Sequence, residues 1–511
     1  MSARLSIATI LAESARRYPD KEALILGETR LTYRQVWGMS LRYAAVLRQD
    51  GVQPGDRVAV LIPNIPHFVF AYYGALALGA TVVPVHALLK ADEIAYTLTD
   101  SECVALITAA PLLPEAAKGA ELANVALYSV LDSDADFSEV ARIDQLAMQV
   151  EPIDRIVPRA PQDEAVILYT SGTTGKPKGA VLTHDNMIWN ATMSAFDVVD
   201  FRHDDIALGV LPLFHSFGQS VVMNAGFRVG GTIVLMPRFD GAAALDLMVQ
   251  EKVTLFAGVP TMYMALLAGT AQTQSRPTIR LAVSGGSALP VATIDRVKEV
   301  FGADILEGYG LSETSPVATF NQEKYGRKPG SIGCSIWGVE VAIANADLEG
   351  AIELLPANTN GEIVIRGHNI FNGYLNRPEA TEAVMVDGWF RSGDIGYMDD
   401  DGFFFIVDRK KDLIIRGGFN VYPREVEEVV AQHPKVAQVA VVGVADDHYG
   451  EEIHAVVVCV SGESVDEAEL IEWVKTRIGQ HKYPRRVHVV EALPTGPSGK
   501  VLKRVIVEQL D

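Results

Sequence analysis

"YTSGTTGKPKGAVLTH" occupies residues 169–184 and follows directly on the apolar run Ala165-Val166-Ile167-Leu168. A short apolar run bounded by glycines and hydroxyls reads as a buried strand that ends in a loop. Glycines let backbone N–H groups approach an oxyanion, Thr170, Ser171, Thr173 and Thr174 carry hydroxyl donors, and Lys176 and Lys178 bring positive charge. The spacing is not that of a Walker A loop, because Thr170 stands five residues before Gly175 and Pro177 follows Lys176. Residue chemistry alone leaves two readings open, a phosphate cradle and an ordinary polar surface loop.

The rest of the chain narrows the setting. At 511 residues it exceeds what one hydrophobic core organises, so two or more domains are expected. With 49% hydrophobic and 21% charged residues it has the composition of a folded globular protein. A net charge of −20 repels polyanions, so no nucleic-acid partner is expected, whereas a small anion can still be held by a few local cations. Cys103, Cys334 and Cys459 show neither a disulfide framework nor zinc-ligand spacing, which fits a reducing cytoplasm. The N-terminal stretch has no sustained apolar core with a small-residue cleavage site, so no signal peptide is read. Val58 to Leu89 is uncharged but broken by Pro63, Pro66, Gly74, Gly79 and Pro84. It reads as two short strands, "RVAVLIP" and "ATVVPV", around an apolar helix, and no integral membrane span is expected.

Further strands are expected at "VALITA", "AVILYT", "GTIVLMP", "TLFAGVP", "RLAVSGG" and "GADILEGYG", alternating with helical patterns as an α/β architecture requires. Around Gly361 the pattern changes to closely spaced strands and turns, and past residue 411 to a compact α+β pattern. The expected organisation is α/β: a large multi-sheet N-terminal domain over 1–410 and a small, mobile α+β C-terminal domain over 411–511.

Several further motifs occur in a fixed order: "LPLFHSFG" (211–218), "SGGSALP" (284–290), "GYGLSETSP" (308–316), "RSGDIG" (391–396), "DRKKDLIIRGG" (408–418) and "LPTGPSGK" (493–500). With the opening stretch, this ordered set resembles the adenylate-forming superfamily of acyl-CoA synthetases, aryl-CoA ligases, luciferases and peptide-synthetase adenylation domains. The resemblance covers essentially the whole chain and is nearest to bacterial medium- and long-chain fatty acyl-CoA synthetases. It implies that ATP adenylates a carboxylic acid and that the acyl group then passes to coenzyme A, with Mg2+ on the polyphosphate.

The same resemblance assigns residues. Thr170, Ser171, Gly172, Thr173, Thr174, Lys178 and Ser312 would hold the ATP phosphates, and Glu313 would ligate the metal. Gly285, Gly286 and Ser287 with Tyr309 would enclose adenine, while Asp394 and Arg409 would hold the ribose. Lys500 would bridge the substrate carboxylate and the α-phosphate. His215 would gate the acyl site, Lys411 would be the hinge, and Gly417 and Gly418 would line the coenzyme A tunnel. Phe217, Met223, Gly286, Pro316 and Val317 would form the acyl pocket, whose apolar or small lining favours a monocarboxylic acid with an apolar tail. By residue type alone, Glu313 could be a solvated loop carboxylate, Asp394 and Arg409 a surface ion pair, Lys500 a solvated terminal charge, and Tyr309 and His215 packed core residues.

Three alternatives remain at this level. The acyl group could be delivered to a carrier protein, the acid could be a bulky alicyclic or aromatic one, or the chain could be a non-catalytic nucleotide-binding regulator. The presence of Glu313 and Lys500 speaks against the last. A homodimer is compatible with the sequence, which carries no signal for oligomeric state or pathway.

Overall fold

The computed structural model describes residues 5–132, 135–170, 176–417, 419–446, 448–460, 462–496 and 501–510. Two large sheets with the apolar runs as their strands form the body. In the first, seven-stranded sheet, Arg57–Leu61, Thr81–Pro84, Cys103–Ala109 and Ala126–Val130 run parallel, and Glu164–Thr170 lies beside Thr81–Pro84. Their β-branched composition suits strands covered on both faces. The hairpin of Glu164–Thr170 with Lys178–Thr183 closes that sheet, and its register places Thr170 directly opposite Lys178.

The second, nine-stranded sheet has a parallel centre: Thr232–Leu235, Ile206–Gly209, Leu255–Gly258, Leu281–Ser284 and Ile305–Gly310. One edge is an N-terminal hairpin, Glu22–Leu26 with Thr29–Thr32, which the periodicity had not singled out and which docks parallel to Thr232–Leu235.

The apolar stretch from Val58 to Leu89 forms a strand–helix–strand unit. Its helix, Pro66–Leu78, buries every residue except His67. Gly74 allows the close crossing with the helix Tyr33–Gln49, because a Cβ there would stand 2.7 Å from the Ser40 carbonyl oxygen. No helix among the described residues is long and apolar enough to cross a membrane.

The third sheet is antiparallel and contains Val339–Ala344, Gly361–Gly367, Trp389–Met398 and Phe404–Arg409. A fourth sheet, five-stranded like the third, includes Ile414–Arg416, Val436–Asp446, Gly450–Cys459 and Arg486–Val489 beside the helices Pro423–Val430 and Glu467–Lys475. The largest apolar cluster draws on residues from Ile7 to Phe404, whereas the two clusters of the last sheet use only residues from Ile414 onward. The mixed α/β architecture, a large multi-sheet part followed by a smaller α+β part, is the one expected from the strand pattern.

Candidate active site

The carboxyl ends of the parallel strands converge on one cleft of about 1710 Å³. This is where open α/β sheets place ligands, because loops leaving those ends are free to carry chemistry. Thr170, Lys178, His215, Phe217, Gly285, Gly286, Ser287, Tyr309, Ser312, Glu313, Pro316, Val317, Asp394, Arg409 and Lys411 all line it. Residues more than 200 positions apart in the chain are thus brought to one surface.

One end of the cleft is polar. Asp394 is 4% exposed, and both of its carboxylate oxygens are engaged. The Tyr309 hydroxyl donates to Oδ2 at 2.6 Å, and Arg409 Nε lies 3.1 Å from Oδ1. The second contact is built into the sheet, since Asp394 and Arg409 are direct partners across the strands Trp389–Met398 and Phe404–Arg409. Burial and then the Asp394 charge push the Tyr309 hydroxyl well above the usual phenol range, so it stays a donor.

Glu313 sits in the short turn Ser312–Thr314 and is 7% exposed. Its Oε1 accepts the Tyr374 hydroxyl at 2.8 Å. Burial raises its carboxyl above the ordinary glutamate range, against the Tyr374 bond and the distant Arg409 charge that lower it. A buried carboxylate that is costly to ionise alone gains from a nearby cation. No group of three or more His, Cys, Asp or Glu side chains among the described residues could hold a metal by itself. One hard carboxylate oxygen fits magnesium, which keeps phosphate and water ligands.

The cleft also has two cations over aromatic rings: Lys178 Nζ lies 5.1 Å from the Tyr374 ring centre and Lys176 Nζ 5.1 Å from that of Tyr96. Lys411 lines the same cleft, where burial and then the charge of Arg409 lower its ammonium from the usual lysine range. Ser171, Gly172, Thr173, Thr174, Gly418 and Lys500 lie outside the described residues.

The other end is apolar. Leu211, Phe217, Val221, Val259, Pro316, Val317 and Phe320 form its walls, with Gly285, Gly286, Gly308 and Gly310 among them. A Cβ on Gly285 would come within 3.3 Å of Phe217 Cε1, and one on Gly308 within 2.1 Å of Phe320 Cδ2. A side chain at Gly308 would collide with Phe320, and one at Gly285 would press on Phe217.

Met223 does not belong to this wall. It is fully buried in the core and is not among the described residues that line the cleft. The segment Phe217–Asn224 is wound as a π-helix, which turns Phe217, Gly218 and Val221 toward the cleft and Met223 toward the core. Gly417 also lies off the cleft lining in this conformation, with its N–H donating to the Tyr449 carbonyl at 2.8 Å.

His215 lines the cleft, and its Nδ1 accepts the Phe217 N–H at 3.3 Å. His86, which the motifs did not indicate, packs edge-on against Phe214 with ring centres 4.3 Å apart. Burial and then the neighbouring His215 hold His86 down to about 4, so it is neutral near pH 7. Tyr374 and the buried pair Glu362–Arg391 were also missed. Tyr374 lies in "FNGYLNR", where an aromatic inside a polar turn is the only available signal.

Residues 11–375 match the AMP-binding enzyme family and residues 425–500 the AMP-binding enzyme C-terminal domain. The chain is 38% identical to the long-chain-fatty-acid–CoA ligase of Bacillus subtilis (strain 168) over 99% of this chain and 94% of that protein. It is also 38% identical to the feruloyl-CoA synthase of an Amycolatopsis species, over 96% of each. Among solved structures, ATP-bound MatB from Rhodopseudomonas palustris superposes with a TM-score of 0.89 at 31% identity, covering 100% of this chain and 99% of that one. The motifs that meet in the cleft and the full-length likeness have one source: the chain belongs to the AMP-binding enzyme family.

Proposed function

We propose that the protein is an AMP-forming acyl-CoA synthetase whose acid is an apolar monocarboxylic one, of medium or long chain. The observation that carries this reading is a single continuous cleft. It is lined both by the polar groups of Glu313, Asp394, Tyr309 and Arg409 and by the apolar side chains of Leu211, Phe217, Val221, Val259, Val317 and Phe320. The CoA-ligase part is shared by relatives that act on different acids, so the acid is the finer part of the proposal.

In this reading the carboxylate attacks the α-phosphorus of ATP, giving acyl-AMP and pyrophosphate; the thiol then attacks the acyl carbonyl and AMP leaves. Asp394 and Arg409 hold the ribose, Tyr309 and the Gly285–Ser287 segment enclose adenine, and Thr170, Ser171–Thr174, Lys178 and Ser312 hold the phosphates. Glu313 would hold the magnesium that accompanies ATP, which supplies charge neutralisation on the polyphosphate. Lys500 would supply the charge contact to the reacting carboxylate and phosphate. His215 separates the acyl and thiol ends, Lys411 is the pivot at a 410/411 domain boundary, and Gly417 and Gly418 meet the thiol co-substrate after rotation. A reducing cytoplasm suits the three unpaired cysteines.

The acyl walls carry no lysine or arginine among the described residues named above, so a second carboxylate would be buried without a partner. An aromatic acid is the second reading, favoured by the feruloyl-CoA synthase at the same identity as the fatty-acid enzyme.

Separating the half-reactions tests the proposal. Lys500→Ala should lose acyl-AMP formation by orders of magnitude yet still make thioester from synthetic acyl-AMP. Lys411→Pro should keep adenylation and lose thioester formation. Equal damage to both steps in both variants would overturn the two-step assignment.

A further inference from the structure

The strand Trp389–Met398 does not run evenly past its neighbour Gly361–Gly367. Val364 pairs with Arg391 and Glu362 with Ile395, so Ser392, Gly393 and Asp394 together stand opposite Ile363 alone. Extra residues in one strand bulge it out of the ladder and re-aim side chains, at the expense of ladder bonds. Here the bulge delivers Asp394 to the cleft.

A carboxylate takes the place of those bonds. Glu362 Oε1 accepts the Gly393 N–H at 3.0 Å, and Oε2 accepts Arg391 Nε at 2.9 Å. Arg391 also donates to the carbonyls of Leu348 and Glu349. The Arg391 and Glu362 side chains are only 6% and 4% exposed. A buried ion pair gains little stability over an apolar pair, because desolvation offsets its attraction. Its geometry points to a different use.

The Gly393 carbonyl accepts the Lys410 N–H at 2.9 Å, and the adjacent Arg409 is the residue that reaches Asp394. Ser392 Oγ donates to the Ile363 carbonyl at 2.7 Å and accepts the Asp394 N–H at 3.1 Å. The Ser392 hydroxyl and the Gly393 N–H are thus tied to the strand Gly361–Gly367, and the Gly393 carbonyl and Asp394 Oδ1 to the segment that carries Arg409.

We propose that Glu362 is a positioning residue of the nucleotide site. Its carboxylate, oriented by Arg391, pins the Ser392–Asp394 bulge and so fixes where the Asp394 oxygens meet the ribose hydroxyls. The proposal rests on the reading of Asp394 as the ribose ligand.

The test compares ATP with 2′-deoxy-ATP in the intact enzyme, alongside KM for ATP and for the acid. Wild type should prefer ATP by about tenfold or more in kcat/KM, as expected when a buried carboxylate loses a hydroxyl partner. Glu362→Gln keeps an acceptor for Gly393 but faces Arg391 with an uncharged amide. It should raise KM for ATP about tenfold and bring the ATP preference close to one, with KM for the acid changed by less than about twofold. Ser392→Ala preserves the buried pair and serves if Glu362→Gln does not fold; it should shift the same two readouts by about threefold. A wild type that does not distinguish the two nucleotides would remove the ribose reading of Asp394 and the proposal with it. A wild type that does, with variants that retain its full preference, would show that Glu362 has only a structural role.

Discussion

The two ends of the cleft are built on opposite plans. At the polar end three buried carboxylates have named partners: Asp394 with Tyr309 and Arg409, Glu313 with Tyr374, Glu362 with Arg391 and Gly393. At the apolar end the walls are aliphatic and aromatic carbon, packed against glycines where a Cβ would meet Phe217 or Phe320. The polar end is therefore specified by direction, since hydrogen bonds fail when atoms are misplaced. The apolar end is specified by volume, where energy changes gradually with contact area. Substitutions should be abrupt at one end and graded at the other.

The largest effect is expected at Glu313. Glu313→Gln should lower ATP-dependent turnover by about two orders of magnitude or more if Glu313 is the magnesium ligand proposed above, because an amide is a weaker and uncharged ligand. The same change should stabilise the ligand-free protein near neutral pH. A folded-state carboxyl raised by burial contributes stability that is present below the unfolded glutamate range and lost as pH rises through the folded value. Thermal unfolding of both proteins at pH 4 and pH 7 measures this, and the advantage of the variant should appear only at the higher pH. Equal melting at both pH values, with full activity, would place Glu313 outside the site.

Graded effects should follow at the acyl end. Lengthening a straight-chain acid within the range of about six to sixteen carbons should improve kcat/KM by up to about fourfold per CH2 until the pocket is filled, from roughly 0.8 kcal/mol per buried group. Gly285→Ala brings a methyl to within 3.3 Å of Phe217, so the ring must yield. Its kcat/KM should fall several-fold for the longest acids and least for the shortest, so that the loss grades with chain length. A uniform loss across chain lengths would mean that Gly285 does not shape the acyl end.

The smallest effect lies outside the cleft and separates stability from chemistry. His184 is fully buried, its Nδ1 accepts the Ile7 N–H at 3.2 Å, and burial holds it down to about 4. The unfolded chain takes up that proton near the ordinary histidine value and the folded chain does not. This part of the stability is present above that value and lost as pH falls toward about 4. His184→Gln should flatten the decline in melting temperature over that window without changing KM for ATP or acid.

How much of this was legible in the sequence follows the same division. The parallel strands were readable because buried strands are apolar runs, and the ordered motifs picked out Tyr309, Glu313, Asp394 and Arg409, which the fold brings to one cleft. Partners supplied from elsewhere were not. Tyr374 and Glu362 reach Glu313 and Gly393 from positions 61 and 31 residues away, and nothing local marks them. Met223 was misplaced because a π-helical turn changes which residues share a face, and hydrophobic type alone does not report that rotation. The hairpin Glu22–Leu26 with Thr29–Thr32 escaped notice because it is short and its second strand is polar and partly exposed.

The most direct measurement of the central claim is pyrophosphate release and thioester formation across straight-chain, branched, aromatic and dicarboxylic acids, each with and without coenzyme A. The account predicts AMP and pyrophosphate as the nucleotide products, limited release without coenzyme A because acyl-AMP stays bound, and multiple turnovers with it. It also predicts the highest kcat/KM for medium- or long-chain aliphatic acids. Formation of ADP and phosphate, absence of thioester with every acid, or preference for a dicarboxylic acid would contradict it.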